Sequence, residues 1–258
     1  MLNDKSSNIW FDQKYLNDNA KVRLFCLPYA GGNHGIFSSW ADILAPHIEI
    51  CPALLPGRSV RFNERPINNL RTLVSHLAQA IQPLLTKPYW IYGHSMGGII
   101  GYELASSISR SGLPIPDHLY ISGARAPHVP IPATARVKIN SYKLPDQPFI
   151  EQLKELNGTP PEVFAAPELL EIILPILRAD FAVVDTYEYK GNPPLTCPIS
   201  AFGGLDDISD VPIEALEQWK IHTTGQFSLK MLTGDHFFVW QSEQIVQQIF
   251  SPCVSVLA

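Results

Sequence analysis

The feature that most constrains this chain is the run Gly93-x-Ser95-x-Gly97, which stands between a predicted strand and a predicted helix. The strand is the apolar run 88–92, and the residues after the motif follow helical spacing as far as Ile108. Small residues two before and two after the serine relieve crowding in a sharp turn that exposes the hydroxyl. The motif alone is short, but the strand and the helix beside it are the context it requires. The pattern therefore predicts that Ser95 is a nucleophile.

Apolar runs alternate with helical patterns along most of the chain. The predicted strands are residues 22–27, 48–55, 88–92, 117–122, 198–203 and 226–232. The clearest helical patterns are residues 69–85, the stretch after Gly98, and residues 242–250. This alternation predicts an α/β fold with a mostly parallel sheet flanked by helices.

A serine hydroxyl needs a base within hydrogen-bond reach, and with this motif the base follows the last strand. His236 occupies that place, between the strand 226–232 and the closing helix. His222 lies at the end of a helical pattern, and we interpret it as a solvated surface histidine. His94 adjoins Ser95, but its side chain is expected to point away from the turn and to pack.

A carboxylate that orients the imidazole is expected after the penultimate strand. Asp206 and Asp207 both follow the strand 198–203, and two adjacent aspartates cannot both face His236. Asp207 is preferred because Gly204-x-x-Asp207 allows one turn back, and Asp206 remains the alternative. Two earlier candidates lie in a segment without strands: Asp180 and Asp185. The chain order Ser, Asp, His is that of the α/β-hydrolase fold.

Acyl transfer also needs donors for the oxyanion, and two backbone N–H groups suffice. One is that of Met96, directly after the serine, and the other is assigned to Ala30 in the glycine-rich loop 28–32. The alternative is that this loop is a plain turn. This chemistry needs neither a metal ion nor a cofactor, and we expect none.

Residues 127–192 break the alternation of strands and helices. The segment is rich in proline and contains helical patches such as 168–177, but no convincing strand. Long segments of this kind in compact domains are usually functional or disordered. We interpret it as a helical lid inserted into a single domain that spans residues 1–258, the alternative being a long surface excursion.

Composition excludes several classes of protein. The net charge is −5 and the basic residues are scattered, so no nucleic-acid partner is expected. The first twenty residues lack the apolar core of a secretion signal, and no run is apolar enough to span a membrane. We expect a cytoplasmic monomer without a membrane partner. Its cysteines are expected to be reduced, buried thiols, namely Cys26, Cys51, Cys197 and Cys253.

Several stretches together resemble a known family, the type II thioesterases that accompany nonribosomal peptide and polyketide synthetases. The matching residues run over nearly the whole chain: Leu27 to Gly32, Phe37, Trp40, Leu55 to Arg58, Arg61, Glu64, Gly93 to Gly98, Leu174, Pro175, Arg178 to Phe181, Tyr187, Cys197 to Ile199, Gly204, Asp207 and Gly234 to Phe238. Each stretch is short, but their joint order is specific.

The resemblance implies the fold and the substrate class. It implies an α/β-hydrolase with a helical lid over an acyl pocket, which hydrolyses acyl groups from the phosphopantetheine arm of carrier proteins. An acyl-loaded carrier protein would then be the partner. A general carboxylesterase or lipase uses the same catalytic groups and is one alternative. A synthetase-interacting protein that keeps the fold without catalysis is another.

Overall fold

The computed structural model describes residues 8–132, 135–136 and 139–257, and it describes side chains as far as residue 250. Within these ranges six strands form one sheet in the order β2-β1-β3-β4-β5-β6, and each neighbouring pair is parallel. The strands are β1 (Val22–Leu27), β2 (Ile48–Pro52), β3 (Tyr89–His94), β4 (His118–Ser122), β5 (Ile199–Gly204) and β6 (Phe227–Leu232). The predicted parallel α/β sheet is confirmed.

Two strands end two or more residues away from their predicted ends. β2 stops at Pro52; the next residue, Ala53, donates its N–H to the Cys26 carbonyl of β1 and forms an isolated antiparallel bridge with Phe11. β3 continues to His94, two residues beyond the predicted end. The strand therefore runs directly into Ser95.

Helices cover both faces of the sheet. They are α1 (Trp40–Leu44), α2 (Leu70–Ile81), α3 (Met96–Arg110), α4 (Asp146–Leu156), α5 (Pro161–Phe164), α6 (Pro167–Asp185), α7 (Ile213–Glu217) and α8 (Glu243–Leu257). In β1, Phe25 and Leu27 join the core beneath α2 and α3, whereas Leu24 and Cys26 join the core beneath α1 and α8. A parallel strand buried on both faces reads as a continuous apolar run, which is the pattern that predicted it.

Helix α2 shows how the helical pattern becomes structure. The Asn69 side chain accepts a hydrogen bond from the Thr72 N–H at 3.0 Å and so satisfies one free donor of the first turn. Leu73, Leu77 and Ile81 recur at every fourth residue and are buried against the sheet. The predicted helix 69–85 is thus present, with a 3₁₀ turn as its end.

The segment 127–192 has no strand in its described part and carries α4, α5 and α6. Helix α6 is longer than the predicted helical patch 168–177 and continues through Pro175 to Asp185. Its face toward α4 forms a small separate core, made of Phe149, Leu153, Leu177 and Phe181. Ala30, in the loop after β1, packs against that core. The segment therefore contacts the loop in which an oxyanion donor was predicted.

Three of the four cysteines lie where their side chains can be described. Cys26, Cys51 and Cys197 are buried and unpaired, as predicted. The side chain of Cys253 lies outside the described residues. Of the helices in the described ranges, none is long and apolar enough to cross a membrane.

Candidate active site

Ser95 occupies a strained turn between β3 and α3. Its φ of +55° and ψ of −116° are rare for a residue with a side chain, and this strain presents the residue at the end of the strand. A Cβ at Gly93 would lie 2.0 Å from the Gly97 carbonyl oxygen, and one at Gly97 would lie 2.1 Å from the Leu27 carbonyl oxygen. Backbone atoms cannot move away from such contacts without a large cost in free energy. The two glycines of the motif are therefore required by space, not by flexibility.

His236 lies on the turn after β6. The turn is held by Asp235, whose carboxylate accepts hydrogen bonds from the Phe237 N–H at 2.9 Å and the Gln241 amide at 3.2 Å. The His236 Nδ1 lies 2.6 Å from Asp207 Oδ2. A carboxylate only accepts, so Nδ1 carries the proton, and Nε2 is left as the proton acceptor of the neutral ring.

Asp207 is fully buried, whereas its neighbour Asp206 is exposed. The Asp207 N–H donates to the Gly204 carbonyl at 3.2 Å, which closes the turn that the sequence predicted. The loops after β5 and β6 are also joined directly, because the Asp206 N–H donates to the Gly234 carbonyl at 2.9 Å. Asp207 is therefore the aspartate of this pair that faces His236.

The carboxylate bonded to His236 is Asp207, not either of the two earlier aspartate candidates. Asp180 pairs with Arg58. Asp185 ends α6 and lines the cavity beside Ser95, and burial raises its pKa to about 6. A residue that sequence analysis did not single out, Arg136, contacts the second carboxylate oxygen of Asp207 at 3.4 Å. Its position in a segment of irregular backbone gave no pattern from which to predict that contact.

His94 and His222 are both buried, in contrast to half-buried His236. His94 lies within hydrogen-bond distance of the Ser122 hydroxyl at 2.9 Å, and its ring centre is 5.1 Å from that of His236. Burial and the neighbouring His236 hold the pKa of His94 well below its usual value, so this ring stays neutral. Its predicted packing role agrees with this geometry.

The interpretation of His222 as a surface residue is wrong. Its exposed fraction is 2%, and its ring lies 3.1 Å from the Tyr102 hydroxyl and 2.8 Å from the His128 ring nitrogen. The helical pattern ends in a 3₁₀ turn, Gln218–His222, which turns Trp219 and His222 inward together. Burial is the main reason that the pKa of His222 falls to about 4.

The predicted oxyanion donors lie on two elements that meet at Ser95. Met96 is the first residue of α3, so its N–H has no acceptor within the helix. Ala30 lies in a turn that the Gly32 N–H closes on the Tyr29 carbonyl at 2.9 Å, with Gly31 at a φ of +86°. Both residues line the same cavity as Ser95 and His236. This arrangement can bind an acyl group with its carbonyl oxygen toward backbone N–H groups.

The cavity beside Ser95 has a volume of about 400 Å³. The 127–192 segment contributes much of its apolar wall, namely Leu153, Leu156, Leu177, Phe181 and Val184. Phe237, next to His236, closes against this segment so tightly that a Cβ at Gly158 would lie 2.6 Å from its ring. Within the described ranges, no cluster of three or more His, Cys, Asp or Glu could hold a metal ion.

Comparison with known proteins gives a consistent result. Residues 22–253 match the family model described as a thioesterase domain. The gramicidin S biosynthesis protein GrsT of Aneurinibacillus migulanus is 44% identical over 92% of this chain and 90% of its own. RedJ, the thioesterase of the prodiginine pathway in Streptomyces coelicolor, superposes with a TM-score of 0.80 at 34% identity, over 90% of this chain and 85% of its own. BorB, a type II thioesterase from the borrelidin biosynthetic cluster, superposes with a TM-score of 0.82 at 30% identity, over 97% and 98%.

The packing around the serine turn gives a first prediction. Gly97→Ala should remove the reactivity of Ser95, because its Cβ would meet the Leu27 carbonyl and force the turn apart. Gly101→Ala, one turn along the same helix, is the matched control, since its Cβ would meet only side-chain methyl groups at 3.1 Å or more. The measurements are the rate of covalent labelling by a fluorophosphonate and the melting temperature. Rapid labelling of a folded Gly97→Ala protein would contradict this account of the turn.

Proposed function

Because the chain belongs to the thioesterase family, we propose that it hydrolyses acyl thioesters on the phosphopantetheine arm of carrier proteins, as an editing enzyme of nonribosomal peptide or polyketide biosynthesis. The observation that carries the proposal is the 2.6 Å hydrogen bond between Asp207 and His236, beside an apolar cavity that Ser95 also lines. A neutral imidazole oriented by a buried carboxylate is what activates a serine hydroxyl. The cytoplasmic location and the monomeric state belong to the same proposal.

In the proposed mechanism, His236 acts first as a base. Its Nε2 takes the proton from the Ser95 hydroxyl as the oxygen attacks the thioester carbonyl. The imidazolium that forms is stabilised by Asp207, which stays ionised throughout. Because Asp207 is fully buried and already bonded to Nδ1, the ring needs no reorientation when it becomes charged.

The tetrahedral intermediate carries its negative charge on the former carbonyl oxygen. In the proposal, the N–H groups of Ala30 and Met96 bind that oxygen. Collapse of the intermediate breaks the carbon–sulfur bond, and His236 returns its proton to the departing pantetheine sulfur. An acyl-serine remains on Ser95.

Hydrolysis completes the cycle by the same groups. His236 removes a proton from water as the water attacks the acyl-serine, and the second tetrahedral intermediate uses the same two donors. Its collapse releases the carboxylic acid and returns the proton to Ser95. The apolar walls from the 127–192 segment would bind the acyl chain, which fits the predicted role of this segment as a lid.

The role of the nucleophile is tested by Ser95→Ala, which should lower kcat by about 10³-fold or more because no acyl-enzyme can form. Ser109→Ala, at an exposed position on the same helix, is the control and should keep full activity. Turnover of an acyl-carrier protein is measured alongside fluorophosphonate labelling. Undiminished labelling of the Ser95→Ala protein would assign the nucleophile to another residue.

The two adjacent aspartates have different environments and should differ in effect. Asp207→Asn should lower kcat by about 100- to 10,000-fold, because an amide can neither hold the His236 tautomer nor stabilise its charged form. Asp206→Asn, at an exposed position, should change kcat by less than about twofold. Steady-state kinetics with circular dichroism of both variants decides between them. The reverse order in two folded proteins would make Asp206 the orienting residue.

The substrate class is tested by placing the same acyl group on different thiols. We expect kcat/KM to be higher for a carrier protein than for coenzyme A, because contacts remote from the reacting carbonyl position the thioester. Acetyl, butyryl and octanoyl groups should all be accepted; since each methylene supplies about 1 kcal/mol in an apolar pocket, acetyl and butyryl should differ by about 30-fold or less in kcat/KM. Equal or faster turnover of the small thioesters or of simple esters would favour a general esterase.

A further inference from the structure

A buried ion pair lies beneath the loop that carries Ala30. Arg58 makes two hydrogen bonds of 2.7 Å to the two carboxylate oxygens of Asp180. The exposed fractions are 7% for Arg58 and 3% for Asp180, so solvent screens this pair little. Neither residue takes part in the proposed proton transfers.

Both partners of the pair also bind the turn Tyr29–Gly32. The Gly31 N–H donates to Asp180 Oδ2 at 2.7 Å, and Arg58 Nη1 donates to the Gly32 carbonyl at 2.9 Å. The turn is thus fixed by its own closing bond and by two charge-assisted bonds from outside.

The bond to Gly31 decides the orientation of one peptide group. A turn with a positive φ at its third residue is of type II, which differs from type I by a flip of the central peptide. That peptide joins Ala30 to Gly31, and its N–H is the group that Asp180 accepts. Without this acceptor, the central peptide loses the contact that distinguishes the two orientations.

From this geometry we infer that Arg58 and Asp180 are positioning residues: by fixing the third and fourth residues of the turn, they hold Ala30 at its second position, so that its N–H, which belongs to the preceding peptide, faces the oxyanion. The inference rests on the proposed function, because it takes Ala30 as an oxyanion donor. Asp180 comes from α6, which also lines the cavity through Leu177 and Phe181. The helix that binds the acyl chain therefore also sets the donor that stabilises the reacting carbonyl.

The test uses Asp180→Asn, Arg58→Gln and their double variant. Asp146→Asn is the matched control, because Asp146 pairs with Arg178 of the same helix α6 without touching the turn. The substrate is an aryl acetate, which needs the serine and the oxyanion donors but no carrier protein. If the enzyme shows no preference for carrier-protein substrates, the proposed function is overturned. The aryl acetate assay still tests the role of Arg58 and Asp180 in that case.

We expect Asp180→Asn to lower kcat by about 10- to 100-fold, less than the roughly 100- to 1,000-fold loss when a donor is removed outright. KM should change by less than about threefold, because the donor acts mainly on the transition state. The pH–rate profile should keep its midpoint, since the Asp207–His236 bond is untouched. Arg58→Gln should lower the melting temperature more than the double variant does, because it leaves the Asp180 charge buried without a cation beside it.

Spectroscopy separates positioning from general support of the fold. In protein labelled with ¹⁵N-glycine, the Gly31 amide signal should shift strongly in Asp180→Asn and stay in place in Asp146→Asn. Arg58→Lys keeps a positive charge beside Asp180, so it should retain the Gly31 signal and recover most of the kcat lost in Arg58→Gln. If Asp180→Asn does not fold, this rescue and the Gly31 signal of the two Arg58 variants decide the matter. An unchanged kcat in the folded variants, or a rise in KM with kcat preserved, would overturn the inference.

Discussion

The parallel sheet is the constraint on which the rest of the structure depends. Parallel strands place all their carboxyl ends at one edge, so the loops after β1, β3, β5 and β6 meet there although they are far apart in sequence. Those loops carry Ala30, Ser95, Asp207 and His236. The same arrangement requires helices on both faces, which is why β1 has no exposed residue. The common direction of the strands therefore brings these four loops together, whatever side chains they carry.

Geometry that is local or follows chain order is the part that the sequence predicts. The two glycines around Ser95 are needed for close backbone contacts, and such contacts depend on neighbours in the chain. The choice of Asp207 over Asp206 also depended on a local turn from Gly204. The structure brings Asp207 to His236, and it shows the sheet that the alternating runs predicted.

What sequence reasoning missed depends on distant partners. Arg58 and Asp180 are 122 residues apart, and no periodic pattern links them. From the sequence, Asp180 is only one of the carboxylates that could orient His236, because no local pattern points to its partner Arg58. His222 was misplaced for the same reason, since its burial depends on Tyr102 and His128, which belong to other elements. Ala53, the residue after β2, likewise pairs with the remote residue Phe11.

Helix α6 touches the turn Tyr29–Gly32 through two side chains one helical turn apart. Asp180 accepts the Gly31 N–H, and a Cβ on Gly31 would lie 2.6 Å from the Leu177 side chain. Positions three residues apart share a face of a helix, and insertion of one residue rotates the following face by about 100°. A single insertion between Leu177 and Asp180 would therefore separate the apolar contact from the carboxylate. Insertions or deletions in the 127–192 segment are therefore compatible with the site only outside the turn of α6 between Leu177 and Asp180. The register of this one helix limits where the length of the segment can change.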